Sequence, residues 1–323
     1  MAIPFLDADA VRGAVSIIEL IDAVEGAYRD VAAGRDQSPV RSRVPLDDGD
    51  LLLMPGVRDG GRGASVKLVT VVPGNADRGL PVIHAVVAWF DAATGRPLAL
   101  IDGATLTAMR TGAASGVGTR LLARRDATTL AMIGAGAQAE WQVRAVAAAR
   151  PIERVLVWSR TADGRAAFAA RMAGALGLDV RAASSAEEAV RAADVVCTAT
   201  TSREPVFDAG WIRPGTHVNG IGAFRLDMVE LPPALFGRAS VVAVDSRAAA
   251  AEEAGDLMAA VEQGVLEASA PIEIGSVAAD YAATRDRDAI TVFKSVGLAF
   301  QDVAAAERIV DRLLPGREGA TES

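Results

Sequence analysis

The chain has 323 residues, 51% hydrophobic and 23% charged, with a formal net charge of −8. That length suits two domains or one large one with a sizeable core, and the composition excludes a disordered chain. The acidic balance, with no basic run or basic-aromatic patch, argues against nucleic acid as a partner; the single cysteine, Cys197, excludes a disulfide framework, and His84 and His217 are too few and too separated for a metal cluster.

The opening residues MAIPFLDADAV lack a basic segment followed by an apolar one. No apolar run approaches the roughly 20 residues that cross a bilayer, so the expectation is a cytoplasmic protein with no membrane partner. Residues 16–34 read as a helix: Ser16 and Glu19 make a capping box, Ile17, Leu20, Ile21 and Val24 form an apolar stripe, and Gly34 ends it. In 39–45, Arg41 and Arg43 alternate with apolar residues on one strand face. Strand-like segments follow at 51–54, 64–72 and 82–90, the last joined through 91–95 to 97–101 as a hairpin. Residues 104–123 read as a helix whose small residues allow close packing. From Thr128 onward, apolar strands at 128–133, 154–159, 178–183, 194–200, 216–221 and 239–246 alternate mostly with helix-like stretches, which implies a parallel sheet covered on both faces. A strand at 290–295 and a helix over 297–314 end the chain.

The first of those strands runs into Gly134-Ala135-Gly136-Ala137-Gln138-Ala139 and then into a helix, the context that a dinucleotide fingerprint requires. Gly134 permits the tight turn, Gly136 lets the backbone approach a pyrophosphate, and Ala139 is small enough for helix-on-strand packing. The helix N-terminus then offers free amides to phosphate. The next strand ends in Ser159-Arg160-Thr161, with no carboxylate for the ribose hydroxyls. An arginine between two hydroxyls suits a 2′-phosphate, which favours NADPH over NADH; the alternative is a surface arginine in a turn.

Other cations lie in apolar company. Lys67, central in 64–70, must face solvent, an anion or a cleft, because an unpaired buried ammonium is costly. Arg110, in 105–115, suits bidentate capture of a carboxylate or a structural ion pair. His84 reads as a core histidine or a site residue. No G-x-S-x-G nucleophile signature occurs. The residues alone therefore give a nicotinamide-binding domain and a β-rich domain whose cations serve an acidic group on a small substrate.

The sequence resembles the ornithine cyclodeaminase/mu-crystallin family over nearly its full length. The resemblance rests on Pro39-Val40-Arg41, Lys67-Leu68-Val69-Thr70, Asp102-Gly103, Thr107-Ala108-Met109-Arg110-Thr111, the glycine loop, Val244-Asp245-Ser246, Glu253-Ala254-Gly255-Asp256 and 291–297 (TVFKSVG). It implies an α/β architecture: a Rossmann-like parallel-sheet domain, 116–298, inserted in a smaller α+β substrate-binding and dimerisation domain, 1–115 plus 299–323. It further implies a homodimer formed through the β-rich platform. Arg41, Lys67 and Arg110 would line the substrate pocket, with Lys67 as the proton relay, and His84, Phe224, Arg225 and Ser295 are further candidates beside the substrate. Thr111, Gly134, Gly136, Ala137, Gln138, Ser159, Arg160 and Thr161 would hold the coenzyme. Ala199, Thr200, Thr201, Gly222, Ser295 and Gly297 complete that set, and no metal is implied.

Within that resemblance, cyclodeaminases carry an acid/base aspartate at the position of Phe224. Here the loop Gly222-Ala223-Phe224-Arg225-Leu226-Asp227 is similar to the mu-crystallin-type loop, and Asp227 comes three positions late. The expectation is an NADPH-dependent imine (ketimine) reductase acting on cyclic or linear imino acids such as pyrroline- or piperideine-2-carboxylate. Ornithine cyclodeaminase, an amino-acid or opine-type dehydrogenase, and a non-enzymatic NADPH-dependent ligand-binding protein are the alternatives.

Overall fold

A computed structural model describes residues 2–35, 38–58 and 60–315. The chain divides into two units, Met1–Arg110 with Leu298–Ser323, and Thr111–Gly297. The first division falls inside the continuous helix Gly103–Leu122, where no turn marks it, five residues before the 115/116 boundary that the resemblance implies.

The first unit, here called the platform, is built on six strands: β1 (Phe5–Leu6), β2 (Ser42–Leu46), β3 (Gly49–Val57), β4 (Gly63–Val71), β5 (Ile83–Asp91) and β6 (Pro97–Asp102). They form one sheet in the order β1-β6-β5-β4-β3-β2, antiparallel except where β1 lies along β6. Directly opposed residues share a face. Met54, Lys67 and Val87 therefore project to one side, and Leu53, Leu68 and Val86 to the other. On the first side Leu52, Met54 and Val69 pack against Ala299 of the helix Ala299–Leu313. Gly56 lets that helix lie close, since a Cβ there would meet Val303 Cγ2 at 2.9 Å and Ala299 Cβ at 3.1 Å. The other side leaves Val44, Leu46, Leu68 and Leu100 exposed. The capping box of Ser16 and Glu19 opens the helix Ile17–Ala32, and a short helix unforeseen in the pattern, Ala8–Ala14 capped by Asp7, precedes it.

The second unit carries β7 (Thr129–Ile133), β8 (Arg154–Trp158), β9 (Asp179–Ala182), β10 (Val195–Thr198), β11 (His217–Gly220), β12 (Val241–Val244), β13 (Ile272–Glu273) and β14 (Thr291–Lys294). All are parallel, in the order β13-β12-β14-β11-β10-β7-β8-β9. Leu130, Met132, Val155, Val157 and Val195 are buried with Val143, Val146, Phe168 and Met172 of the covering helices. Each such side chain contributes about 1.5–3 kcal/mol of burial, which is why the strands read as unbroken apolar runs. The order reverses between β7 and β10. That switch point is where a doubly wound sheet opens a crevice at its strands' carboxyl ends.

Candidate active site

The residues singled out from the sequence fall into two groups, one in each unit. In the platform, β4 carries Lys67 on its covered face, only 1% exposed. Its Nζ stands 3.0 Å from Oδ1 and 2.8 Å from Oδ2 of Asp302, a fully buried carboxylate on the helix Ala299–Leu313. Arg110 donates from Nε to the same Oδ1 at 2.9 Å and from Nη1 to Gln301 Oε1 at 2.6 Å. Gln301 Nε2 in turn donates to Tyr28 Oη at 2.8 Å. Arg41 is half-buried, close enough that its charge acts on Lys67.

Burial pushes the Lys67 ammonium down to about 7, Asp302 opposes that shift, and the positive charges of Arg110 and Arg41 add to it. Lys67 and Arg110 thus share one carboxylate. Two cations on one acid leave positive charge that can receive an anionic group, and an amine titrating near neutrality is suited to proton transfer. Arg110 spends Nε and one N–H of Nη1 on Asp302 and Gln301, which leaves the other Nη1 N–H and Nη2 for an anion. One expectation needs correction. His84 is exposed on the sheet's other face, opposed to Thr70, and is not brought together with Lys67. Arg43, the partner of Arg41 in the alternation, pairs with Asp50.

In the second unit, β7 ends at Gly134, whose φ is 109°. A Cβ there would sit 2.6 Å from the Ala199 carbonyl oxygen, so the turn demands glycine. A Cβ at Gly136 would meet nothing within 4 Å, which leaves the loop open on that side. The helix Ala139–Ala149 begins without a side-chain cap, and Gln138 Oε1 is buried with no hydrogen-bond partner among the described residues. Uncapped amides, an open glycine and an unsatisfied buried acceptor are the features a dinucleotide would complete. At the tip of β8, Ser159 Oγ donates to Thr161 O at 3.3 Å. Arg165 Nη1 donates to Ser159 O at 2.9 Å, a second cation at this tip that pattern reading missed. Arg160 is exposed and makes no ion pair or hydrogen bond with a described residue.

Two buried carboxylates hold the remaining loops. Glu230 accepts from the amides of Thr200 (2.6 Å), Gly222 (2.6 Å) and Ala223 (3.0 Å), tying the ends of β10 and β11 together. Burial raises its pKa, Lys294 opposes the shift and Asp256 adds to it. Lys294 donates to Ala223 O at 2.5 Å and lies 3.4 Å from Asp256 Oδ1. Asp245 Oδ2 accepts from Ser295 Oγ and from the amides of Val296 and Gly297, at 2.8–2.9 Å. The Ser295 hydroxyl is thus oriented by Asp245. Phe224 is half-buried. Thr111 is buried, Gly136, Ala137 and Thr201 are exposed, and Ala199 is half-buried. Asp227 is exposed and paired with Arg225 and Arg203. Among the described residues, no group of acids, histidines and cysteine could hold a metal ion, and no helix is long and apolar enough to cross a membrane.

Pattern reading also missed Asp302, Gln301, Glu230 and the role of Asp245. A signal was present: Gln301-Asp302 stands in an apolar helix and Glu230 between Val229 and Leu231, the same company that singled out Lys67.

The chain is 38% identical over 313 residues to the Delta(1)-pyrroline-2-carboxylate reductase of Bacillus cereus, covering 96% of each. It is 36% identical to the ketimine reductase mu-crystallin of Mus musculus, across 97% of this chain and 98% of that one. The structure of Thermococcus litoralis Delta(1)-pyrroline-2-carboxylate reductase in complex with NADH and L-proline superposes with a TM-score of 0.90 at 35% identity, covering 96% of this chain and 97% of that one. The family description "Ornithine cyclodeaminase/mu-crystallin family" matches residues 4–317, and the chain belongs to that family.

Proposed function

We propose that the protein is an NADPH-dependent imine reductase that acts on imino acids of the pyrroline- or piperideine-2-carboxylate class. The observation that carries this reading is the buried pair of Lys67 and Arg110 on the single carboxylate of Asp302, with the Arg41 charge near Lys67. Its surplus charge binds the substrate's carboxylate, and Lys67 supplies a proton to the nitrogen. A reduced nicotinamide, when bound, supplies the hydride. The glycine loop and the uncapped helix at Ala139 hold the coenzyme's pyrophosphate. Arg160, unpaired at the tip of β8 and flanked by Ser159 and Thr161, takes the 2′-phosphate, which selects NADPH. The cyclodeaminase alternative lacks an acid at position 224, and Asp227 is engaged by two arginines.

A panel of cyclic imino acids assayed with NADPH and with NADH tests both parts. Coenzyme oxidation with at least one member is expected, and no turnover with any member overturns the reading. Arg160→Asp should raise KM for NADPH by about 10-fold or more while sparing NADH, the worth of one charge-assisted contact. An unchanged preference defeats the phosphate assignment. The protein works as a homodimer through the platform's open sheet face.

A further inference from the structure

Lys67 and Lys294 are the only lysines in the chain; every other side chain among its 33 lysines and arginines is an arginine. Both are buried, 1% and 0% exposed. Arginine serves wherever a permanent charge suffices, but it cannot release its proton in a protein. On a strand face that already has Arg110 and Arg41 nearby, a lysine adds an exchangeable proton rather than more charge.

The charged groups facing Lys67 come from three elements: Asp302 from the helix Ala299–Leu313, Arg110 from the helix Gly103–Leu122, and Arg41 from the segment before β2. Asp302 is the acid among them, and it is braced. Arg110 Nε shares its Oδ1, and Gln301, one residue earlier on the same helix, fixes Arg110 and is itself held by Tyr28. We propose that Asp302 is the positioning residue that keeps Lys67 protonated and aimed. The proposal rests on the reductase reading for its chemistry. Hydride addition to the imine carbon moves the π pair onto nitrogen, nitrogen takes the proton of Lys67 Nζ, and the neutral amine recovers a proton from water.

With two lysines, ¹³Cε-lysine labelling yields two side-chain NMR signals, and Lys67→Arg assigns them. In the wild-type protein the Lys67 signal should titrate near pH 7. Asp302→Asn should lower that midpoint by about 1–3 units, the effect of losing an opposite charge at contact distance. Activity needs the protonated form, so kcat/KM falls as pH rises through the midpoint, and that limb should move down by the same amount. Asp302→Glu should restore both. A merely structural Asp302 would change thermal stability and leave the midpoint in place. An unchanged midpoint in Asp302→Asn, or a wild-type midpoint near the free-lysine value of about 10.4, overturns the proposal. Should Asp302→Asn fail to fold, Arg41→Gln decides: loss of a like charge must raise the midpoint, and no change overturns the claim that the facing charges set it. A shifted midpoint in a protein that reduces no imine would defeat the reductase reading and leave the Asp302 assignment standing.

Discussion

An ammonium at position 67 is a cost that the fold carries for a function. Lys67 titrates near 7 in the folded chain because burial outweighs the pull of Asp302, whereas an unfolded lysine titrates near its ordinary value. Between those two pH values the unfolded chain binds more protons. Stability therefore rises with pH across that window, and the penalty is fully present below about pH 7. A depression of this size is worth on the order of 4–5 kcal/mol. Lys67→Met should remove this pH dependence, so that the Tm of the variant changes less between pH 6 and pH 10 than the wild-type value, which should gain across that window. The same change should lower imine reduction by about 10²–10⁴-fold, the range for a lost general acid. Thermal unfolding at the two pH values and coenzyme oxidation measure both, and an equal pH dependence in variant and wild type would show that Lys67 is not held against its own desolvation. The cation was legible in the sequence from its apolar neighbours. Its partner was not singled out, because pairing across 235 positions depends on how the closing helix docks on β4.

The loops at the ends of β10 and β11 owe their shape to Glu230. One carboxylate accepts three amides, and a Cβ at Gly222 would strike Thr200 N and O at 2.5 and 2.3 Å, so the two loops touch through their backbones. Glutamine has a single acceptor oxygen and would turn an NH₂ group toward amides. Glu230→Gln should cost about 2–4 kcal/mol in urea unfolding, the penalty of buried donors left unpaired, and should weaken coenzyme binding followed by tryptophan fluorescence. Unaltered stability would mean that these amides do not depend on the carboxylate. The central strands of this unit, β7, β10, β11 and β14, were legible because they are buried on both faces, and the turn at Gly134 has a steric reason. The 200–230 tie was not, since no periodicity joins two irregular segments 30 residues apart. Asp245 is a parallel case: its motif was recognisable, but its three contacts to 295–297 form only once β12 and β14 pair.

At the scale of the molecule, the α/β class and the parallel sheet followed from the rhythm of strands and helices and its insertion from the family resemblance, while the faces of the platform followed from neither. Parity along β4 separates Lys67 from Leu68, but whether His84 joins one or the other depends on the β4–β5 register, which a 3₁₀ turn at Pro73–Arg78 fixes. That register puts His84 beside Leu68, Val86, Leu53 and Val44 on the sheet's uncovered side. A sheet covered by helices on one face and apolar on the other is unfinished as a monomer surface. A second copy laid on it would bury Leu68 near the centre, and a stable pair needs roughly 1,200–2,000 Å² in total. An aspartate there would be desolvated without a cation opposite, at a cost that exceeds what a few apolar contacts return. Light scattering should therefore give twice 33.3 kDa for the wild-type chain and 33.3 kDa for Leu68→Asp. Because Leu68 points away from the Lys67–Asp302 cluster, far-UV circular dichroism should stay that of a folded chain. A variant that still weighs as a dimer would move the interface elsewhere and leave the open face unexplained.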